Sequence, residues 1–159
     1  MSEIIENITF DELSLGQSAS LSRTLQAADI AAFAAVSHDT NPAHLDAAYA
    51  EQTMFKGVIG HGMWTAGVVS ALLGTRFPGA GTIYLGQTLQ FRRPVRPQDT
   101  ITVTLTVAGK NEENKQVELD CLVVNQNGEK VLTGKATILA PTQKISRPAC
   151  AVPQIELLS

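Results

Sequence analysis

Apolar residues recur along the chain with two different periods. Ser18 to Leu25 alternate as a short strand would, and Ile30, Phe33, Ala34 and Val36 then fall at helical spacing, which predicts an amphipathic helix ending near Ser37. Beyond a polar interruption, Met63, Trp64, Ala66, Val68, Val69, Ala71, Leu72 and Leu73 point in nearly every direction around a second helix. Such a helix is expected to be buried on most sides, in the middle of the protein. After Arg76-Phe77-Pro78-Gly79-Ala80-Gly81 the period becomes two. Ile83, Leu85, Leu89 and Phe91 alternate with mostly polar neighbours, and Ile101, Val103, Leu105 and Val107 alternate with threonines. These are two long antiparallel strands joined through Arg92 to Asp99. Val117, Leu119, Cys121 and Val123 give a third strand, Asn127-Gly128 predicts a type I′ hairpin turn, and Val131 to Leu139 give a fourth.

Strands in succession behind one nearly all-apolar helix predict an α+β domain over residues 1–140, an antiparallel sheet curled around a buried central helix. Residues 141–159, which begin Pro141-Thr142-Gln143-Lys144, read as an extended tail or linker. A curled sheet leaves edge strands, and pairing two subunits along an edge removes that liability, so a homodimer or higher homo-oligomer is expected.

Charge removes some functions. The formal net charge is −3 and no basic run exceeds Arg92-Arg93, so the chain lacks the basic footprint of a nucleic-acid partner. The first ten residues are acidic where a secretion signal is basic, and no apolar run reaches membrane-spanning length; no membrane partner and a cytoplasmic location are expected. Cys121 and Cys150 have no Cys or His at ligand spacing and read as inert thiols.

The chemistry is concentrated in the polar interruption. His38, His44 and His61, all the histidines of the chain, fall in one window with Asp39 and Asp46. Asn41 is placed to cap a helix whose first residue is Pro42, where the missing N–H costs nothing. An Asx-type turn explains Asn41 and Pro42 but leaves His44 unexplained. In the first turn of the following helix, His44 would be held neutral by the helix dipole and able to relay a proton. If the chain reverses at Asn41-Pro42, Asp39 and His44 converge on one water, the carboxylate accepting one proton while the imidazole delivers another. His61-Gly62 precedes the apolar helix, and Gly62 at its N-terminus offers backbone N–H groups to a developing enolate oxygen. A tight loop requiring positive φ explains Gly60 and Gly62 equally well.

The runs Asp39-Thr40-Asn41-Pro42-Ala43-His44-Leu45-Asp46, His61-Gly62-Met63 and Tyr84-Leu85-Gly86-Gln87-Thr88-Leu89-Gln90-Phe91-Arg92-Arg93-Pro94-Val95 resemble the R-specific enoyl-CoA hydratases of the MaoC-like family. The resemblance spans roughly Thr9 to Pro141 and implies the hotdog fold. It further implies a hydro-lyase that adds water across a trans-2-enoyl-CoA to give an (R)-3-hydroxyacyl-CoA. Asp39 and His44 match the family's catalytic pair, Asn41 the motif's Asn, Gly62 the backbone oxyanion donor, and Ser70 a supporting polar position on the central helix. The implied partner is an acyl-CoA thioester, which is the substrate; no cofactor and no metal are implied. His38 stands where the family commonly has Gly, and its side chain is expected to lie outward. The tail resembles the linker after the hydratase-like N-terminal domain of bacterial fusions to a phosphate acyltransferase.

His61, Arg92 and Arg93 complete the candidate substrate-binding residues, the arginines, with Arg96, as partners for coenzyme A phosphates or as a solvated loop. Ile83, Leu85 and Trp64 either line an acyl pocket or pack the core, packing being the commoner role of such residues. Three other functions compete: a hotdog acyl-CoA thioesterase, a non-catalytic acyl-thioester binding module, and a divalent-metal site of His38, His44, His61 and Asp39.

Overall fold

The computed structural model describes residues 2–158. The chain begins with β1 (Ile4–Glu6), a single 3₁₀ turn (Phe10–Glu12) and β2 (Ser18–Thr24). Four helices follow: α1 (Ala27–Ser37), α2 (Pro42–Leu45), α3 (Ala47–Glu51) and α4 (Gly62–Thr75). Four long strands come next, β3 (Ile83–Phe91), β4 (Thr100–Lys110), β5 (Gln116–Val124) and β6 (Lys130–Leu139), and then the short β7 (Ser146–Pro148).

Strands β2, β4, β5, β6 and β3 form one antiparallel sheet in that spatial order. The strict alternation of β4 explains its place beside the core: Ile101, Val103, Leu105 and Val107 are buried on one face. The threonines of the other face meet the serines and threonine of β2 in hydroxyl pairs, Ser20 with Thr104, Ser22 with Thr102 and Thr24 with Thr100, at 2.7–2.8 Å. The apolar residues of β5 and β6 continue the buried face, and α4 packs Trp64, Val68, Val69, Leu72 and Leu73 against it.

Three expectations need correction. The strands β3 and β4 are not neighbours; β3 pairs with β6 at the far edge, Leu89 opposite Gly134, while β4 lies between β2 and β5. Pro94 and Pro97 have no N–H to donate to a ladder, and the connection that carries them, Arg92 to Asp99, bonds across the end of the sheet instead, Gly60 N to Val95 O at 2.7 Å and Gln98 N to Leu25 O at 2.7 Å. The β5–β6 turn is not type I′: Gly128 alone takes positive φ, +74°, and Asn125 organises the turn, its Oδ1 accepting from the N–H groups of Asn127 and Glu129 at 3.0 Å. Helix α4 is buried on one face only; Met63, Gly67, Ser70, Ala71 and Gly74 are exposed.

Two smaller differences follow from local geometry. In α1 only Ile30 and Ala34 are buried and Val36 is 82% exposed, because Val36 falls outside the stripe that faces the core. The helix expected after Pro42 is two short helices, with Asp46 ending α2 and capping α3 through the Tyr49 N–H at 3.0 Å. After Pro141 the chain folds back on the N-terminus, β7 pairing antiparallel with β1 and the Asn7 side chain bonding the carbonyls of Ala80 and Gln143.

Candidate functional site

The loop between α1 and α2 presents Asp39. Helix α1 ends at His38 in the left-handed conformation, φ +61°, with its N–H donating to Ala34 O at 2.8 Å. His38 thus adopts the backbone that a glycine would supply, and its side chain is exposed, outside the site, as expected from the sequence. The loop then turns on its own side chains. Ser37 Oγ accepts from the Asp39 N–H at 3.1 Å, Asp39 Oδ1 accepts from the Asn41 N–H at 3.2 Å, and Asn41 Oδ1 accepts from the Ala43 N–H at 3.0 Å to cap α2. The Asx turn and the presentation of Asp39 are one structure, with Asn41 occupied in capping.

His44 is oriented by a backbone carbonyl. Its Nδ1 lies 2.7 Å from Ile59 O, and a carbonyl only accepts, so Nδ1 carries a proton and Nε2 is the nitrogen left for chemistry. Helix α2 is a single turn of four residues with little dipole of its own, and the Ile59 carbonyl orients the ring instead. His61 precedes α4 and its Nε2 donates to the Asp39 carbonyl oxygen at 3.0 Å. Its ring stacks on that of His44 at 3.9 Å between centroids. A carboxylate oxygen of Asp39 and a ring nitrogen of each histidine lie within 4.8 Å of one another. Two hydrogen bonds of about 2.8 Å meeting at one water span about 4.6 Å, so Asp39 and His44 are placed to share a water.

These groups open on a cavity of about 430 Å³ whose wall includes Asp39, His44, His61, Gly62, Arg92 and Arg93. Its lining also includes Phe55, Ile59, Thr65 and Val131, none of them a site candidate in the sequence; their convergence depends on long-range folding. Gly62 begins α4, whose N-cap side chain makes no capping bond, so the N–H groups of Gly62 and Met63, both residues of the cavity lining, have no cap partner. Neither Gly60 nor Gly62 takes positive φ. Their constraint is space: a Cβ on Gly62 would lie 2.8 Å from the Phe91 ring, and one on Gly60 2.6 Å from Leu25. Two buried polar atoms of the site, His61 Nδ1 and Thr65 Oγ1, make no hydrogen bond to protein.

Among the arginines, Arg92 donates to Thr133 Oγ1 at 3.2 Å and to the Gln90 side chain, and Arg93 pairs with Glu129 at 3.3 Å on a half-exposed surface. Arg96 does not line the cavity. Ser70 is two helical turns beyond Met63, in a second cavity of about 490 Å³ bounded by Phe33, Met63, Gly67, Leu85 and Leu89. Met63 borders both cavities. Tyr84 and Gln87 add polar atoms to the second one; Tyr84 donates to Gln87 Oε1, and burial, with a smaller contribution from Cys121, pushes its hydroxyl up to about 12. Leu85 thus lines a cavity and Ile83 is exposed, whereas Trp64 packs in the core.

Asp39, His44 and His61 offer three potential metal-ligand atoms, with His38 outside the group. Stacked imidazoles aim their in-plane lone pairs side by side rather than at one point, a poor match to a tetrahedral ion.

The family model described as "MaoC like domain" matches residues 13–127, most of the chain, including Asp39, His44, His61 and Gly62. The chain belongs to the MaoC-like family. Within it, the chain is 48% identical over 136 residues to the (R)-specific enoyl-CoA hydratase of Rhodospirillum rubrum, covering 84% of this chain and 92% of the relative. It is 43% identical to the enzyme of the same name from Aeromonas caviae, covering 81% and 96%. R-hydratase PhaJ1 from Pseudomonas aeruginosa, unliganded, superposes with a TM-score of 0.92 at 44% identity, covering 98% of this chain and 99% of that one. The sheet with its packed helix is accordingly the α+β hotdog architecture of the MaoC-like R-hydratases.

Proposed function

We propose that this MaoC-like protein is a hydro-lyase that reversibly hydrates trans-2-enoyl-CoA to (R)-3-hydroxyacyl-CoA. The single observation that carries the reading is the convergence of an Asp39 carboxylate oxygen and a His44 ring nitrogen within 4.8 Å beside the N-terminus of α4. In the relatives from Rhodospirillum rubrum and Aeromonas caviae the name is that of the same reaction.

The thioester carbonyl lies against the Gly62 N–H, where the start of α4 stabilises negative charge. Asp39 and His44 hold one water over C3. As the water oxygen bonds C3, its proton passes to the Asp39 carboxylate and the C2–C3 π pair moves toward the carbonyl oxygen as an enolate. That proton passes from Asp39 to His44 Nε2, the nitrogen left free because Nδ1 is committed to Ile59, and from Nε2 to C2 as the enolate collapses, which returns the pair to its starting state; dehydration is the reverse.

Arg92 and Arg93, at the rim of the cavity, are suited to the coenzyme A phosphates. The apolar second cavity beyond Met63 is suited to the acyl tail. A homodimer belongs to the same proposal. Strand β3 is an edge strand with Ile83 and Leu85 about half exposed, whereas the opposite edge, β2, carries Ser18, Ser20 and Ser22. Pairing two copies along β3 would cover the apolar edge and wall the second cavity. No helix among the described residues is long and apolar enough to cross a membrane. The two unpaired cysteines support a reducing compartment, the cytoplasm, as the location.

Loss of the enoyl-thioester absorbance of crotonyl-CoA tests the reading. Hydration without release of free thiol is expected; thiol release would instead mark a thioesterase, and binding with no absorbance change a non-catalytic module.

A further inference from the structure

We propose that His61 is the positioning residue of the Asp39–His44 pair, clamping both members to the start of α4, rather than a contact for substrate. Its activity arm rests on the hydratase reading above. His61 is the N-cap of α4, yet its side chain does not cap that helix. The ring instead reaches a residue 22 positions earlier, Nε2 donating to the Asp39 carbonyl at 3.0 Å. One face-to-face contact, 3.9 Å and 30° between planes, rests it on the His44 imidazole, and the Phe33 ring packs against it at 4.8 Å. The residue is 2% exposed, with its ring held between those of His44 and Phe33.

The two members of the pair need this clamp for different reasons. Asp39 is exposed, and the bonds of its loop to Ser37 and Asn41 are local, so they shape the turn without fixing its distance from α4. The His61 N–H supplies that fixed distance. His44 has one bond, from Nδ1 to Ile59, about which its ring can still pivot. Stacking on His61 restricts the pivot and with it the direction of Nε2. A shared water tolerates little drift, since a displacement near 1 Å in a reacting geometry costs about 100-fold in rate. The same ring therefore couples the backbone of the carboxylate to the plane of the imidazole. Its Nε2 nitrogen is spent on that bond and the ring is buried against two aromatic neighbours, an arrangement unsuited to meeting substrate.

Two variants separate the halves of the clamp. His61→Phe keeps a stacking ring and removes the donor; His61→Gln places a donor at about the reach of Nε2 and removes the ring. We expect kcat for crotonyl-CoA to fall about 10- to 100-fold in His61→Phe with KM within about twofold of wild type, and His61→Gln to recover part of kcat. Wild-type kcat in both variants, a loss confined to KM, or equal losses of kcat that track equal losses of thermal midpoint would overturn the proposal. Side-chain nitrogen NMR of ¹⁵N-histidine-labelled protein gives a readout independent of turnover. It should find His61 as the Nε2–H form and His44 as the Nδ1–H form in the wild type, with His44 relaxing to a mixture in His61→Gln, which lacks the stacking ring. A His44 spectrum identical in both proteins would contradict the clamp. Wild-type protein inert toward crotonyl-CoA would remove the hydratase reading, and the NMR comparison would then decide the role of His61 alone.

Discussion

At the scale of single residues, Asp39 and His44 are set apart by how little they hold up. Asp39 is exposed and His44 only half buried, so truncating either removes chemistry rather than packing. Asp39→Asn and His44→Ala are each expected to lower kcat for crotonyl-CoA hydration by about two to four orders of magnitude. Calorimetry should find thermal midpoints close to wild type. Gly60 behaves in the opposite way. A methyl there would press on Leu25, which is fully buried and cannot retreat, so Gly60→Ala should cost about 1–3 kcal/mol, read from chemical denaturation. The pairing of Asp39 with His44, five positions apart, could be read from sequence because an Asn-Pro turn brings its flanks together. The Gly60–Leu25 contact could not, since it joins segments far apart in the chain. The bond from His61 to Asp39 was hidden for the same reason, although all three histidines stood in one window.

Among the elements, the C-terminus of α1 carries a strain that the sequence announced and the structure locates. His38 at φ +61° pays a steric cost that glycine does not, and its exposed side chain offers little in return. His38→Gly should stabilise the fold by about 1 kcal/mol, raising the thermal midpoint by about 2–4 °C in a scanning experiment while turnover is unchanged. The 3₁₀ turn gives a pH-dependent case. The Glu12 carboxyl is held below its ordinary value, first by the Thr9 backbone N–H and then by Lys144, which also bonds Asn7 O. A depressed carboxyl contributes stability above its unfolded pKa and loses it as pH falls through the folded one. The stability advantage of wild type over Glu12→Gln should therefore be present at neutral pH and shrink below about pH 4.3, followed by denaturation at a series of pH values. Periodicity located all four long strands and both long helices, because alternation and helical spacing are local. It could not order the strands. The separation of β3 from β4 depends on a connection with two prolines that crosses the sheet end, where apolar period carries no information.

For the whole molecule, the informative feature is the side of α4 and β3 that the chain leaves uncovered. Apolar residues were read as a helix buried on most sides, yet Met63 and Leu85 are about half exposed and border an open groove. The chain itself covers one face of α4, and the proposed second copy would cover the other. With a second copy paired along β3, sedimentation should give a dimer, and Leu85→Lys should shift it toward monomer with weaker turnover of longer enoyl chains. A wild-type monomer would contradict the dimer. The central claim, that Asp39 and His44 deliver one water to one face of an enoyl thioester held at Gly62, is tested most directly by chiral analysis of the product made from crotonyl-CoA by wild type and Asp39→Asn. The account predicts (R)-3-hydroxybutyryl-CoA from the wild type, formed at least about 100-fold more slowly by the variant; an (S) product, or equal rates in the two proteins, would contradict it.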